Sequence, residues 1–256
     1  MNRRTLLTNA SVAASVAALS GCKVLDDARS GPVGGIMASA NSLTYRVHRA
    51  LGGGHRLAPE YTQVEIRQGM HPNGSTNPQT ADYLALQAGG WADYRLAVGG
   101  MVGQTLSLSL GDLRAMPTQS QITRHDCVEG WSCIARWTGV RLGHVLAMAA
   151  PLAGARFAVF HCFDAIERGL AGEVLYHESI DMVDATHAQT ILAWGVNDTD
   201  LPVRNGAPLR LRVERQLGYK MAKYIRRIDL VADFAGLGLE RGGYWPDRGY
   251  DWFAGI

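Results

Sequence analysis

Cysteine is scarce in this chain: 4 occur in 256 residues, as Cys22, Cys127, Cys133 and Cys162, and no two form a Cys-x-x-Cys pair. That spacing excludes a Cys-x-x-Cys-His haem attachment. Cys22 has another use, described below, so too few remain for a disulfide framework or a four-cysteine iron–sulfur cluster. An excess of either charge is also missing, with Lys plus Arg at 25 and Asp plus Glu at 23. Coating nucleic acid demands a clustered cationic surplus, so that function class drops out. The 30 glycines and 9 prolines follow no collagen or repeat period. What is present is 47% hydrophobic residues with 6 tryptophans, enough to bury one substantial core among many tight turns.

The first 22 residues read as an export signal. Asn2-Arg3-Arg4-Thr5 is charged and Ala10 to Leu19 is apolar or small, a run shorter than the about 20 residues that cross a bilayer. Arg3 and Arg4 resemble a twin-arginine signal, with Asn where Ser or Thr usually precedes the pair. Leu19-Ser20-Gly21-Cys22 resembles a bacterial lipobox, whose cysteine takes lipid and becomes the new N-terminus. The expectation is a periplasmic protein lipid-anchored through Cys22, with 23–90 as tether and extension and 91–256 as the folded body.

Residues 23–58 mix helix-forming and Gly-rich pieces and end near Gly52-Gly53-Gly54, a loose connection, while His71-Pro72-Asn73-Gly74-Ser75 is a turn. Tyr94 to Val98 and Leu106 to Leu110 alternate on either side of Gly99-Gly100 and predict a β-hairpin. Leu110 to Met116 is a short helix stopped by Pro117, and Leu142, Val145, Leu146 and Ala149 are spaced for another. Strands are expected at Phe157 to Phe163, Leu209 to Glu214 and Tyr224 to Val231, and a helix at Asp181 to His187. Arg210 and Arg212 share one face of their strand, opposite Leu209, Leu211 and Val213. Spacing alone favours a solvated cationic face there over a wall facing an anion. The class is α+β, mostly β, in a single domain.

Arg124-His125-Asp126-Cys127-Val128-Glu129-Gly130-Trp131-Ser132 follows a strand at Gln121-Ile122-Thr123 and sets one cysteine among polar and charged neighbours. Inert thiols sit among hydrophobes, whereas a thiolate needs donors or cations to hold its charge. Nucleophile, metal ligand and plain buried thiol all remain open on these residues.

Four blocks, in order, resemble the molybdopterin-binding domain of the sulfite oxidase family: Cys127-Val128-Glu129-Gly130-Trp131-Ser132, Trp137-Thr138-Gly139-Val140, Asn205-Gly206-Ala207-Pro208-Leu209-Arg210-Leu211 and Gly218-Tyr219-Lys220-Met221-Ala222-Lys223. They span roughly Tyr94 to Val231 and are specific in combination. The resemblance implies a sulfite-oxidase-type fold around a molybdenum–molybdopterin cofactor with Cys127 as sole protein ligand to the metal. A soft thiolate suits a metal already bound by dithiolene sulfurs. By position it also implies that Asn73, Cys162, Asn205, Arg210, Met221, Ala222 and Lys223 contact the pterin or its phosphate. Arg210 with the Lys220/Lys223 pair has the charge to neutralise that phosphate.

True sulfite oxidases carry arginines where Trp131 and Ser132 stand here, so the clamp for a sulfite dianion is weakened. The Cys-Val-Glu-x-Trp-Ser form resembles the bacterial periplasmic branch that includes methionine sulfoxide reductase. Cys162 replaces the threonine of that branch. Arg124 and Arg136 are candidate compensating cations, and Glu129 is expected to be a structural carboxylate meeting a neighbouring arginine, with an acid or base role as the alternative. The implied activity is two-electron oxygen-atom transfer on a small sulfoxide-like substrate or oxyanion. With no second redox centre in the chain, electrons pass through a separate cytochrome-type or membrane partner, and the protein is expected to be a monomer. The rival readings are a cofactor-free lipoprotein module and a thiol redox protein using Cys127 and Cys133. The closing aromatics Tyr244, Trp245, Tyr250 and Trp252 are expected to pack over the core, with a substrate mouth as the sharper alternative.

Overall fold

The computed structural model describes residues 32–52, 55–67, 70–169 and 172–256. Arg3, Arg4 and Cys22 lie outside the described residues. The chain divides into two compact units, Met1–Leu51 and Gly52–Ile256. The described part of the first, residues 32–51, belongs to helix α1 (Pro32–Gly52). Proline is favoured at a helix start, and Arg49 in its last turn complements the helix dipole. Within the stretch read as a mixed connection, residues 32–52 thus form a continuous helix despite Gly34 and Gly35. Among the described residues no helix is long and apolar enough to cross a membrane.

The second unit is built on two five-stranded sheets. One runs β2 (Leu106–Leu108), β1 (Leu96–Gly100), β10 (Ile225–Val231), β5 (Phe157–Gly169), β6 (Gly172–Asp181). Only β1 and β10 pair in parallel; the other pairs are antiparallel. The second runs β3 (Thr118–Asp126), β4 (Ser132–Arg141), β7 (Ile191–Val196), β8 (Thr199–Asp200), with β9 (Arg210–Arg212) also on β7. The hairpin expected from alternation forms, with Leu96 opposite Leu108. Among the described residues four α-helices accompany the sheets: α2 (Ala81–Ala88), α3 (Leu110–Ala115), α4 (Leu142–Met148) and α5 (Met182–Ala185). Ser109 and Asp112 form a capping box at the start of α3, satisfying amide donors that the helix leaves free. Asp181 caps α5 through the Asp184 amide, and that helix is shorter than its expected 181–187 span.

One large apolar cluster joins both sheets, with Tyr94, Leu96, Phe160, Ile228, Leu192, Leu209 and Leu211 all buried. A smaller one forms around Met70, Cys133, Ala135, Trp137 and Ile191. Within the second sheet, β7 is buried at every position. Gly139 permits the β4–β7 approach, because a Cβ there would lie 2.1 Å from the Leu192 carbonyl oxygen. The core also reaches ahead of Trp91, since Tyr83 on α2 is fully buried and donates to the Ala207 carbonyl at 2.7 Å.

The expected solvated face of Arg210 and Arg212 is corrected: neither residue has exposed surface. Their guanidinium carbons lie 4.8 and 4.4 Å from the Trp137 ring centroid. Alternation correctly separates the two faces of β9, but the second apolar cluster covers the face that carries the charges.

Candidate active site

β3 and β4 pair down to Asp126 opposite Ser132, and the five residues between them form the tip of the hairpin. The Cys127 amide donates to Trp131 O at 2.9 Å and the Gly130 amide to Cys127 O at 3.0 Å. Gly130 has φ 86°, where a side chain would be strained. Cys127 is therefore held at a sheet end, on the wall of a cavity. That sulfur lies 3.7 Å from Glu129 Oε2, which also accepts from Trp131 Nε1 at 2.9 Å. Burial pushes the Cys127 thiol up, and the Glu129 carboxylate adds to that shift. Glu129 thus meets an indole and a thiol in place of the expected arginine. The cations proposed to compensate are engaged elsewhere, Arg124 with Asp126 and Arg136 with Asp198.

The cavity, about 700 Å³ counting its open mouth, is lined by Asn73, Gly74, Ser75, Cys127, Val128, Glu129, Asp164, Ile166, Tyr176, Gly218, Tyr219, Met221, Lys223, Trp245 and Tyr250. Of the residues expected at the cofactor, Asn73, Cys127, Met221 and Lys223 come together on its wall. The Lys223 ammonium holds the 73–75 turn, donating to Asn73 O at 2.6 Å and to Ser75 O. Tyr224 Oη donates to Ser75 O at 2.9 Å. Burial, followed by the charge of Arg210, lowers the Lys223 pKa to about 7. Tyr224 has φ 59°, an outlier for an aromatic residue of the kind that clusters at functional sites.

Arg210 lies behind this wall. Its Nη1 donates to Asn205 O at 2.8 Å, while Nε and Nη2 are buried without a hydrogen-bond partner. Asn205 is also buried, and its amide reaches Met70 O at 3.5 Å. Ala222 acts through its backbone, its carbonyl accepting from the Leu211 amide at 2.8 Å. Besides Asn205, Arg210 and Ala222, which lie off the cavity wall, Lys220 and Cys162 are not on it either. Lys220 is spent on a fully buried ion pair with Glu178, and Cys162 is enclosed in the large core cluster. Cys133 belongs to the smaller cluster and is likewise not on the wall.

Met221 Sδ accepts from Arg212 Nη1 at 2.8 Å, and the same nitrogen lies 2.8 Å from His125 Nδ1. Burial, then the Arg212 and Arg210 charges, hold His125 well below its ordinary pKa and therefore neutral. If Nδ1 accepts from Arg212, the ring proton sits on Nε2, which has no partner. Of the closing aromatics, Trp245 and Tyr250 reach the cavity. Tyr244 instead bonds Glu167 at 2.7 Å, and Trp252 donates to Ser179 Oγ at 2.8 Å. Sequence reasoning placed Ser75 only in a turn and missed Asp164 and Tyr176; nothing in the local pattern of the latter two marks them, because long-range packing brings them to the wall.

The family model for the oxidoreductase molybdopterin binding domain matches residues 83–235. The chain belongs to that family. It is an oxidoreductase with a molybdopterin-binding domain. It is 32% identical, over 99% of its length and 87% of the relative's, to the putative protein-methionine-sulfoxide reductase subunit YedZ1 of Azospira oryzae. It is 34% identical to the protein-methionine-sulfoxide reductase catalytic subunit MsrP of Xanthomonas axonopodis, over 70% of this chain and 58% of that protein. The sulfane dehydrogenase SoxCD of Paracoccus pantotrophus is similar over 55% of this chain and 38% of its own, at 22% identity and a TM-score of 0.49.

The residues present fit the molybdopterin of this family. Arg210 retains unpartnered buried donors, and Lys223 donates only to carbonyls among the contacts described. Two buried cations without a bonded carboxylate suit a phosphate, since leaving such donors unmet is costly. Cys127, on the same cavity wall, supplies the single soft donor.

Proposed function

We propose that the protein is an exported molybdenum enzyme that reduces a small or peptide-borne sulfoxide, taking electrons from a separate redox partner. Overall, a sulfoxide, two electrons and two protons yield a thioether and water. Bound through the pterin and Cys127, molybdenum supplies two-electron oxygen-atom exchange.

The observation that carries this reading is the company Cys127 keeps. Its neighbour in the cavity is the Glu129 carboxylate, with Tyr219, Trp245 and Tyr250 also on the wall. A carboxylate and aromatic rings suit a neutral, polarizable sulfur compound, because S–aromatic contacts are favourable, and they repel a dianion. Trp131 holds Glu129 in place, and the rings limit water at the reacting sulfur. Two of the similar proteins, YedZ1 of Azospira oryzae and MsrP of Xanthomonas axonopodis, are named as subunits of methionine sulfoxide reductase, which supports the same class. The thiol redox alternative loses ground because Cys133 and Cys127 belong to different surroundings.

Export and tethering rest on Arg3, Arg4 and Cys22, and they imply a periplasmic site with a cytochrome-type or membrane partner as electron source. The deciding experiment is the ratio of kcat/KM for sulfite oxidation to that for reduction of a small sulfoxide, using metal-replete protein with artificial electron carriers. A ratio well below one is expected; a ratio well above one would overturn the sulfoxide reading.

A further inference from the structure

Helix α1 carries an apolar stripe that the chemistry at Cys127 does not use. At the α-helical repeat, Ile36, Ala40, Leu43, Val47, Ala50 and Leu51 fall within an arc of about 100°. Asn41, Ser42, Tyr45, His48 and Arg49 occupy the opposite side, and Thr44 and Arg46 stand at the two borders. The stripe is open: Ile36 is 69% exposed, Leu43 62%, Val47 41% and Leu51 83%. A helix of this pattern ordinarily buries its stripe, so one left open marks a surface that something else covers.

Charge decides what that is. Pro32–Gly52 holds Arg46, His48 and Arg49 and no acidic residue. A second copy packed stripe to stripe would bring like charges together, and the stripe spans about two heptads, fewer than a stable coiled coil needs. An anionic lipid surface meets the same charges with the opposite sign. Arg46, at the border of the stripe, can lay its methylenes along the apolar phase and keep its guanidinium among the headgroups. Among the described residues no helix is long and apolar enough to cross a membrane, which leaves α1 the plane of the interface. Its place in the chain agrees. Pro32 follows Cys22 by ten residues, at most about 35 Å of extended chain. The charges between them balance, Lys23 and Arg29 against Asp26 and Asp27.

We infer that α1 is an interfacial helix that seats its apolar stripe in the surface of an anionic phospholipid membrane. The contact goes beyond the tether proposed at Cys22 and stands on the helix alone. Stable anchoring takes two such signals, whereas a protein held by one exchanges with solution. Loss of the lipid therefore still releases the chain into soluble fractions.

The test is cosedimentation of purified holoenzyme of residues 23–256, which contains every described element and neither leader nor lipid, with phospholipid vesicles. Binding should be about ten-fold or more tighter to phosphatidylcholine mixed with phosphatidylglycerol than to phosphatidylcholine alone, and should weaken as salt is added. Leu43→Gln with Val47→Gln, which keeps good helix formers in place, should lose about ten-fold or more of the affinity. Arg46→Gln with Arg49→Gln should lose the preference for phosphatidylglycerol and keep the weaker binding to phosphatidylcholine. Circular dichroism of each variant checks that the fold is intact. Equal affinity in the Leu43/Val47 variant and its parent overturns the inference, as does binding indifferent to phosphatidylglycerol. Concentration-dependent dimerisation that the same variant abolishes also overturns it, and gives the stripe to a second copy. No sample carries a lipid on Cys22, so failure of the tether and failure of the interfacial helix are read by separate measurements.

Discussion

The ammonium of Lys220 and the carboxylate of Glu178 form an ion pair in which neither side chain has exposed surface. Lys220 sits between Tyr219 and Met221, both on the cavity wall, so the pair ties the 218–220 turn to β6 from beneath. Burial drives the Glu178 pKa up to about 7 and lowers that of Lys220. Each charge therefore depends on the other. Lys220→Met should destabilise the protein by about 3–5 kcal/mol, because it strands a buried carboxylate, and adding Glu178→Leu should restore most of the loss. Urea unfolding of the single and double variants measures this. A single variant within about 1 kcal/mol of wild type would mean that the pair is dispensable.

That pair also shows where sequence reading stops. The hairpin, the strands around Phe160 and Ile228, and the exposed context of Cys127 follow from local alternation and polarity, and the four blocks carry the family. Which charged side chains face an anion does not follow. Arg210 and Lys220 both look like cations available to a phosphate. Burial leaves Arg210 with free donors and gives Lys220 to a glutamate 42 residues away. Asp164 is invisible for the same reason: it lies on the cavity wall where the pairing of β5 with β6 loses register between His161 and Ala165, a property of two strands and not of one segment.

Cys127→Ser should give a folded protein that loses almost all molybdenum-dependent turnover, because a hard hydroxyl replaces the soft thiolate. Cys133→Ser should retain both metal and turnover, since that thiol packs with Met70 and Trp137. Metal content and turnover are to be measured on the same preparations. Equal losses in the two variants would restore the dithiol reading.

The stability of pterin-free protein should depend on pH through two opposed groups on the cavity wall. Burial raises Asp164 to about 7 from its ordinary 3.8. The native state therefore binds that proton more tightly, and the associated stability is full below the ordinary value and lost as pH rises through about 7. Lys223 is lowered to about 7 from 10.5, so its contribution is present above 10.5 and is lost as pH falls through about 7. Thermal melts across pH should show Asp164→Asn removing the falling limb on the acid side and Lys223→Met removing the rising limb on the alkaline side. Unchanged profiles in both would mean that these groups are hydrated in the native state.

Cys22→Ser should move the protein from membrane to soluble fractions, while Arg3→Lys with Arg4→Lys should retain it inside the cell. Fractionation after native expression reads both effects. No shift with Cys22→Ser removes the lipid tether and leaves the chemistry at Cys127 untouched.

Glu129→Gln should weaken the proposed preference for sulfoxide over sulfite. The carboxylate lies beside Cys127 Sγ and is held by the Trp131 indole, and no arginine pairs with it there. At separations of about 6 Å and an effective dielectric near 20, a dianion approaching Cys127 meets a repulsion of several kcal/mol, reduced by the solvent at the mouth. Neutralising Glu129 should therefore raise kcat/KM for sulfite by about ten-fold or more and change that for a neutral sulfoxide by less. The gain in sulfite turnover should shrink as ionic strength rises, because salt already screens the wild-type repulsion. The same side chain offers a different function, protonating the sulfoxide oxygen, and the two are separable by their signatures. Loss of sulfoxide turnover with no gain for sulfite would make Glu129 a proton donor and leave the wall's discrimination to Tyr219, Trp245 and Tyr250.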